Sequence, residues 1–514
     1  MSLLLANGTV IDGTGMPALP ADVLLEGGAI KAIGRIPKNP QFEVLDCSGR
    51  VVSPGFVDVH SHSDIETLEH RSEKILQGIT TEIVGNCGFS VFPTPGGCDG
   101  FTVYRMLFGR NPCCWRHAGE YFQSLEEKGS YTNAAALTRH STLRATVMGL
   151  RRSYASSSEL AELENSLDMC LEQGSIGFST GLNETPGSYG NFDELVALCR
   201  VVKKHDGFYT SHLRDYKFRI LAAVEEALNL GRATGVPVQL SHLQTVGSKN
   251  WDKMDSVLEL IETAEREGVA AGIDAYPYLA GSANITQMLP DWALEGGSQD
   301  LLQRLSSAAT RRQIAKETEA QMANTWSDIL VSNVDSRKNQ NCIGRSIQDI
   351  ATERQVEPIE AALALLAEEL GTLLIVSFNQ SEPNLRKVLT HPLTSIITDG
   401  LYTEGKPHPR TFGAFPKFLG EYVREKKWMS FEEAIHKTCG LPAQRFRLDK
   451  RGTLAIGNWA DVTVFDPNQI GTASTYLNPN QPPEGIDYVF VNGQRTVEGG
   501  RLVGSPAGVP IRHV

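Results

Sequence analysis

From Val52 to about Gly400, short apolar runs that end in polar residues alternate with stretches whose apolar positions recur every three or four residues. The first pattern predicts β-strands and the second amphipathic helices. Strands are expected at "GFVDVHSH" (55–62), "TTEIVGNC" (80–87), "NAAALTRH" (133–140), "SIGFSTGL" (175–182), "GFYTSHL" (207–213), "VPVQLSHL" (236–243), "VAAGIDAYPY" (269–278) and "TSIITDG" (394–400). Helical stretches such as "DELVALCRVVKKH" and "RILAAVEEALNLGRATG" separate most of them. Eight strands with helical crossovers predict an α/β protein built on a closed (β/α)8 TIM barrel.

Two regions depart from that rhythm. Between Tyr278 and Thr394 lie helical patterns, polar turns and a strand-like "TLLIVSF", too much chain for a structureless loop. An inserted lid subdomain is therefore expected at about 279–345, covering the barrel mouth. At the two ends the chain turns β-rich, with "SLLLANGTVIDG" and "ADVLLEGGAIKAIG" near the start and "RGTLAIGNWADVTVFDP" and "YVFVNGQRTVEGGRLVG" near the end. Asn7-Gly8 and Gly27-Gly28 are hairpin-turn pairs. Residues 1–54 and 450–514 are expected to join as one small β-sandwich domain beside a catalytic barrel spanning 55–449.

Composition narrows the partners more than the fold. Forty-eight basic against sixty acidic residues give a net charge of −12. That balance disfavours nucleic acid and anionic lipid as partners and leaves a small molecule as the default. No apolar run approaches the ~20 residues that cross a bilayer, and "MSLLLANGTVIDGTG" lacks the basic start of a secretory signal. Nine scattered cysteines without a C-x-x-C pair favour reduced thiols and a cytoplasmic location. Composition leaves the oligomeric state open.

Residues at the C-terminal ends of barrel strands face one shared pocket. At those ends stand His60, His62, Cys87, His212, His242 and Asp399. Each alone has a plain structural reading, as a hydrogen-bonded loop histidine, a small buried thiol or a turn-forming aspartate. Together they supply imidazole, thiolate and carboxylate to one place, which is the donor set of zinc. His60 and His62 alternate along a strand, so both rings can reach the same point.

The chain resembles the amidohydrolase superfamily in "PGFVDVHSH", in His212 and His242 on the fifth and sixth strands, and in Asp399 on the last. More finely it resembles the D-aminoacylases, the N-acyl-D-amino-acid deacylases, in "VGNCGFS", "STGL", "DAYPY", "LPDWALEGG" and "TDGLYTEGKPHPR". The resemblance implies zinc-dependent hydrolysis of a linear amide, most simply deacylation of an N-acyl-D-amino acid. It implies that Cys87, His212 and His242 hold one zinc tightly, while His60, His62 and Asp399 surround a second, weaker position. Asp399 would be the general base that moves a proton from a metal-activated water to the leaving nitrogen. Arg410 would grip the carboxylate of a small amide substrate.

The match departs from its family at two substrate positions. Where those enzymes carry Ser-His-His-Lys this chain has "SHLQ", with Gln244 at the lysine, and where they carry a tyrosine after "STGL" it has Glu184. Either Lys249 or Tyr276 compensates, or Glu184 repels an anion and marks a changed substrate. Alternatives for the whole chain are a cyclic amidase of the hydantoinase or dihydropyrimidinase kind, a D-dipeptidase, or a metal-holding barrel without catalysis. The fourth strand lacks the lysine through which the cyclic amidases bridge two metals, and a mere binding protein needs no Asp399. His140, Arg144 and Tyr278 are further pocket candidates, Asp64 a candidate to orient a ligand histidine or cap a helix, and Cys113 and Cys114 are expected to be structural.

Overall fold

In a computed structural model describing residues 2–37, 39–94 and 115–513, the eight apolar runs form eight parallel barrel strands. They are β1 (Phe56–Ser61), β2 (Ile79–Val84), β3 (Asn133–Ala136, continued by Thr138–Arg139), β4 (Gly177–Gly181), β5 (Phe208–His212), β6 (Val238–Leu240), β7 (Ala271–Ala275) and β8 (Thr394–Ile396). Each strand ladders in parallel with the next along the chain. The ring closes where the Asp399 backbone N–H donates to the His60 carbonyl at 3.0 Å and the Thr398 N–H to Asp58 Oδ1 at 3.1 Å. The strands are buried on both faces, which is why they read as apolar runs and not as strict alternation.

The outer helices form for local reasons as well. In the helix Ser157–Glu172, the Ser156 side chain accepts from the Glu159 N–H while Glu159 accepts from the Ser156 N–H, so two orphan donors at the start are satisfied. Leu163, Leu167 and Leu171 then place one stripe into the barrel core. The pair Cys113 and Cys114 lies outside the described residues.

Strands from both ends of the chain form a single nine-stranded sheet. Its junction is Val51–Pro54 running antiparallel to Val462–Phe465, so the N-terminal and C-terminal halves share one ladder. Leu5, Val23, Val52, Val462 and Phe490 make up much of the apolar layer that the sheet encloses.

The insertion after β7 is longer than the expected 279–345. Its antiparallel sheet comprises Ala280–Asn284, Ile329–Asn333 and Leu374–Phe378, and the last of these lies between the other two. The "TLLIVSF" segment is thus the central strand of the inserted unit, and a separate core of Ile285, Leu301, Ile329, Leu363 and Ile375 forms around it. Periodicity could mark that strand but not its partner, about ninety residues earlier. Among the described residues no helix is long and apolar enough to cross a membrane.

Candidate metal centre and substrate pocket

Each barrel strand delivers its last side chains to one end, and three of the loop entries there require an uncommon backbone. Cys87, His242 and Asp399 adopt left-handed φ values of 55°, 34° and 48°. For residues with a Cβ this costs on the order of 1–3 kcal/mol each and persists only where the surroundings enforce it. Asp274 enforces it at His242 by accepting that residue's N–H at 2.6 Å. Beside Cys87, a Cβ on Gly88 would stand 2.5 Å from the Gly181 nitrogen, and one on Gly181 2.3 Å from the Cys87 carbonyl, so only glycine lets the β2 loop and β4 approach this closely.

The result is a convergence of donors. His60 Nε2 lies 3.2 Å from Cys87 Sγ, which lies 3.4 Å from His242 Nε2. His60 Nε2 is 3.5 Å and His62 Nε2 3.0 Å from Asp399 Oδ1. Two triads emerge, His60–Cys87–His242 and His60–His62–Asp399, each with its ligand atoms within 4.8 Å of one another. His60 belongs to both, whereas the family pattern separates it from Cys87. His212 sets its ring edge-on to His242, with centroids 4.6 Å apart, and its Nε2 has no partner among the described residues. Donor atoms around a tetrahedral zinc with ~2.0–2.3 Å bonds stand roughly 3.3–3.8 Å apart. The spacings and the unpartnered nitrogen therefore fit that ion.

Electrostatics agree with the fit. Burial, then the charge of Asp399, push the Cys87 thiol well above its ordinary value, so its thiolate needs a cation beside it. Burial lowers His242 to about 4 and takes His212 well below the usual imidazole range, which leaves both rings neutral and able to ligate. Burial would raise Asp399, but Arg410 and the neighbouring histidines hold it well below the carboxylate range. Arg410 Nη2 lies 2.9 Å from Asp399 Oδ2, its guanidinium lies over the Tyr276 ring at 4.5 Å, and its Nε is unpartnered among the described residues.

These groups line a cavity of about 640 Å³, walled on one side by the barrel loops and on the other by the insertion. Glu184, Gln244, Tyr276 and Arg410 all reach it. Glu184 is buried, accepts a hydrogen bond from Gln287 of the insertion, and is pushed up to about 8 by burial. Burial thus favours the neutral carboxyl at this position and weakens the repulsion of an anion expected from Glu184. Tyr276 Oη lies 3.5 Å from Gln244 Oε1.

Other candidates fall elsewhere. Lys249, expected as a replacement cation, is exposed on the turn Ser248–Lys253 and is not on the cavity wall. Asp64 pairs with Arg139 and accepts from Ser90 Oγ at 2.6 Å, and no helix follows it. His140 and Arg144 both bind Glu194, away from the cavity. Tyr278 packs edge-on against His408. The sequence pattern assigns no role to Asp274, yet its Oδ1 stands 3.2 Å from His60 Nδ1, which puts a carboxylate beside the ring nitrogen opposite the triads. A carboxylate at the end of β7, beside the histidine strand β6, is the signal that points to it.

A model of the amidohydrolase family matches residues 43–497. The chain is 33% identical over 509 residues to a D-aminoacylase of Alcaligenes xylosoxydans xylosoxydans, covering 98% of this chain and 96% of the relative. It is 35% identical over 496 residues to an N-acyl-D-glutamate deacylase of the same organism, covering 96% and 93%. The crystal structure of N-acyl-D-glutamate deacylase from Bordetella bronchiseptica, complexed with zinc and a phosphonate inhibitor that mimics the tetrahedral intermediate, superposes with a TM-score of 0.86 at 31% identity, over 99% of each chain.

Proposed function

The chain belongs to the amidohydrolase family, and from that premise we propose that it hydrolyses a linear amide beside a D-configured centre, with N-acyl-D-amino acids or related D-amides as its substrate class. The observation that carries this reading is the convergence of the two triads on one cavity with Asp399 held as a carboxylate at its wall. Cys87, His212 and His242 would hold one zinc, and His60, His62 and Asp399 a second, weaker one, with the single Nε2 lone pair of His60 available to only one of the two positions at a time. Zinc, when bound, supplies Lewis-acid polarisation of the amide carbonyl and acidifies water.

The chain's own groups do the remaining work. Asp399, unprotonated and oriented by Arg410 and His62, accepts a proton from the attacking water and returns it to the leaving nitrogen. Arg410 would grip a substrate carboxylate through its guanidinium on the cavity wall. Glu184 and Gln244 offer hydrogen bonds to the rest of the substrate, and the insertion closes water out. A cytoplasmic location completes the proposal, supported by six described cysteines that are all free.

The test is a screen of N-acyl, N-carbamoyl and dipeptide amides in both configurations with zinc-loaded protein. Release of a free amine from D-configured N-acyl compounds is the expected outcome. Ring opening of cyclic amides without an amine product would overturn it.

A further inference from the structure

Of the left-handed entries to the mouth, the one at Asp399 is held by a buried hub. Consecutive N–H groups there are all engaged: Thr398 donates to Asp58 Oδ1 at 3.1 Å, Asp399 to the His60 carbonyl at 3.0 Å, and Gly400 to Thr398 Oγ1 at 3.1 Å. The last bond spans Asp399 and closes its turn. It requires the Thr398 hydroxyl to keep a lone pair toward Gly400, and Lys74 enforces that. Its ammonium donates to both Thr398 Oγ1 and Asp58 Oδ2; an ammonium accepts nothing, so the Thr398 proton goes to Asp58 Oδ2 at 2.6 Å. Lys74, Asp58 and Thr398 are all buried.

Lys74 comes from the connection between β1 and β2, where it opens the turn Ile75–Gln77. In the same turn, Gln77 Nε2 donates to the Thr411 carbonyl at 2.8 Å, next to Arg410. One short segment thus reaches the chain beside both members of the Asp399–Arg410 pair. Neither Lys74 nor Gln77 lines the cavity. We propose that Lys74 is a positioning residue for the general base, acting through the Thr398 hydroxyl, and that Gln77 does the same for Arg410 through Thr411. This rests on the amide-hydrolase reading above. Its consequence is a division of effects: a misplaced base fails only in proton transfer and lowers kcat, whereas a loosened Arg410 holds the substrate carboxylate less well and raises KM.

The experiment measures kcat and KM of the zinc-loaded full chain on the N-acyl-D-amino acid that the screen above finds best. Thr398→Val removes the hydroxyl and leaves the Lys74–Asp58 pair in place, so kcat should fall about 10–100-fold at unchanged KM, and Thr398→Ser should retain it. Lys74→Met should lower kcat as far, and the double variant no further, because both changes remove one link. Gln77→Met should raise KM about tenfold with kcat retained. Wild-type kcat in Thr398→Val, or additive losses in the double variant, overturns the proposal. Hydrogen exchange read by mass spectrometry needs neither turnover nor a folded Lys74→Met: in Thr398→Val the peptide holding Asp399 and Gly400 should exchange faster while the other barrel strands do not. If the wild type cleaves no amide, the amide-hydrolase reading fails, and unchanged exchange in that peptide refutes the hub by itself.

Discussion

Two buried clusters beside barrel strands use the same residue types and come to opposite ends. On the outer side of β3, Glu194 accepts from His140 with one oxygen and from Arg144 with the other, while the Asn191 side chain caps its own N–H at 2.9 Å. A Cβ on the adjoining Gly190 would stand 2.7 Å from His140 Cε1, so there is no room for a ligand. At the mouth, imidazoles, a thiol and a carboxylate face a cavity of about 640 Å³, and His212 Nε2 and His242 Nδ1 find no partner among the described residues. The first cluster spends both oxygens of its one carboxylate on His140 and Arg144 and leaves no space between them. The second brings thiol, imidazole and carboxylate donor atoms within 4.8 Å of one another at a cavity, and that convergence on open space, not the residue count, marks a metal centre.

The largest expected effect breaks the mouth cluster. Asp399→Asn keeps the shape of the side chain and removes its capacity to take a proton, so kcat should fall by about 10²–10⁴-fold. The tightly held zinc, read by elemental analysis on the same sample after dialysis, should remain at about one per chain because Cys87, His212 and His242 are untouched, while any second, weaker zinc is lost. Full activity in Asp399→Asn would show that the base lies elsewhere.

Next comes the closed cluster. Removing one partner of a buried ion pair strands the other, so Glu194→Ala should destabilise the fold by about 3–5 kcal/mol in urea unfolding. Zinc bound per folded molecule should not change. Burial alone would raise Glu194, but His140 and Arg144 bring it from 4.5 to about 2. A depressed carboxyl contributes stability that is complete above pH 4.5 and is lost as the pH falls towards 2. Glu194→Gln should therefore flatten the acid limb of the stability curve between those values. A variant that loses zinc while keeping its stability would erase the distinction between the clusters.

How much of this was legible follows from the same contrast. The eight strands were readable because a strand buried on both faces is a short apolar run wherever it occurs, and the strand-end rule then named His60, His62, Cys87, His212, His242 and Asp399. Their grouping was not readable. His60 reaches both triads because Cys87, His242 and Asp399 turn through left-handed backbone, which no hydrophobic period encodes. Lysines show the limit most simply: Lys217 and Lys249 each follow a histidine strand by a short loop, but Tyr216 pins the first to the wall while the second sits on an exposed turn. Gln287, which meets Glu184 across the cavity, comes from the insertion, where sequence separation hides the contact.

The smallest effect should come from Asp274, which belongs to neither triad yet touches both histidine strands. Its Oδ1 serves the His242 N–H and stands beside His60 Nδ1, and its Oδ2 accepts from Gln239 at 3.1 Å. Asp274→Asn retains one oxygen, enough to keep the left-handed turn at His242, but it loses the charge beside His60 Nδ1. Substitutions of such outer partners typically cost 10–100-fold in metal affinity or activity, so zinc competition with a chelator should show a loss in that range with little change in unfolding midpoint. A loss of stability as large as that of Glu194→Ala would place Asp274 with the closed cluster. A loss confined to zinc affinity would place it with the open one, as the carboxylate beside the ring nitrogen of His60 opposite the triads.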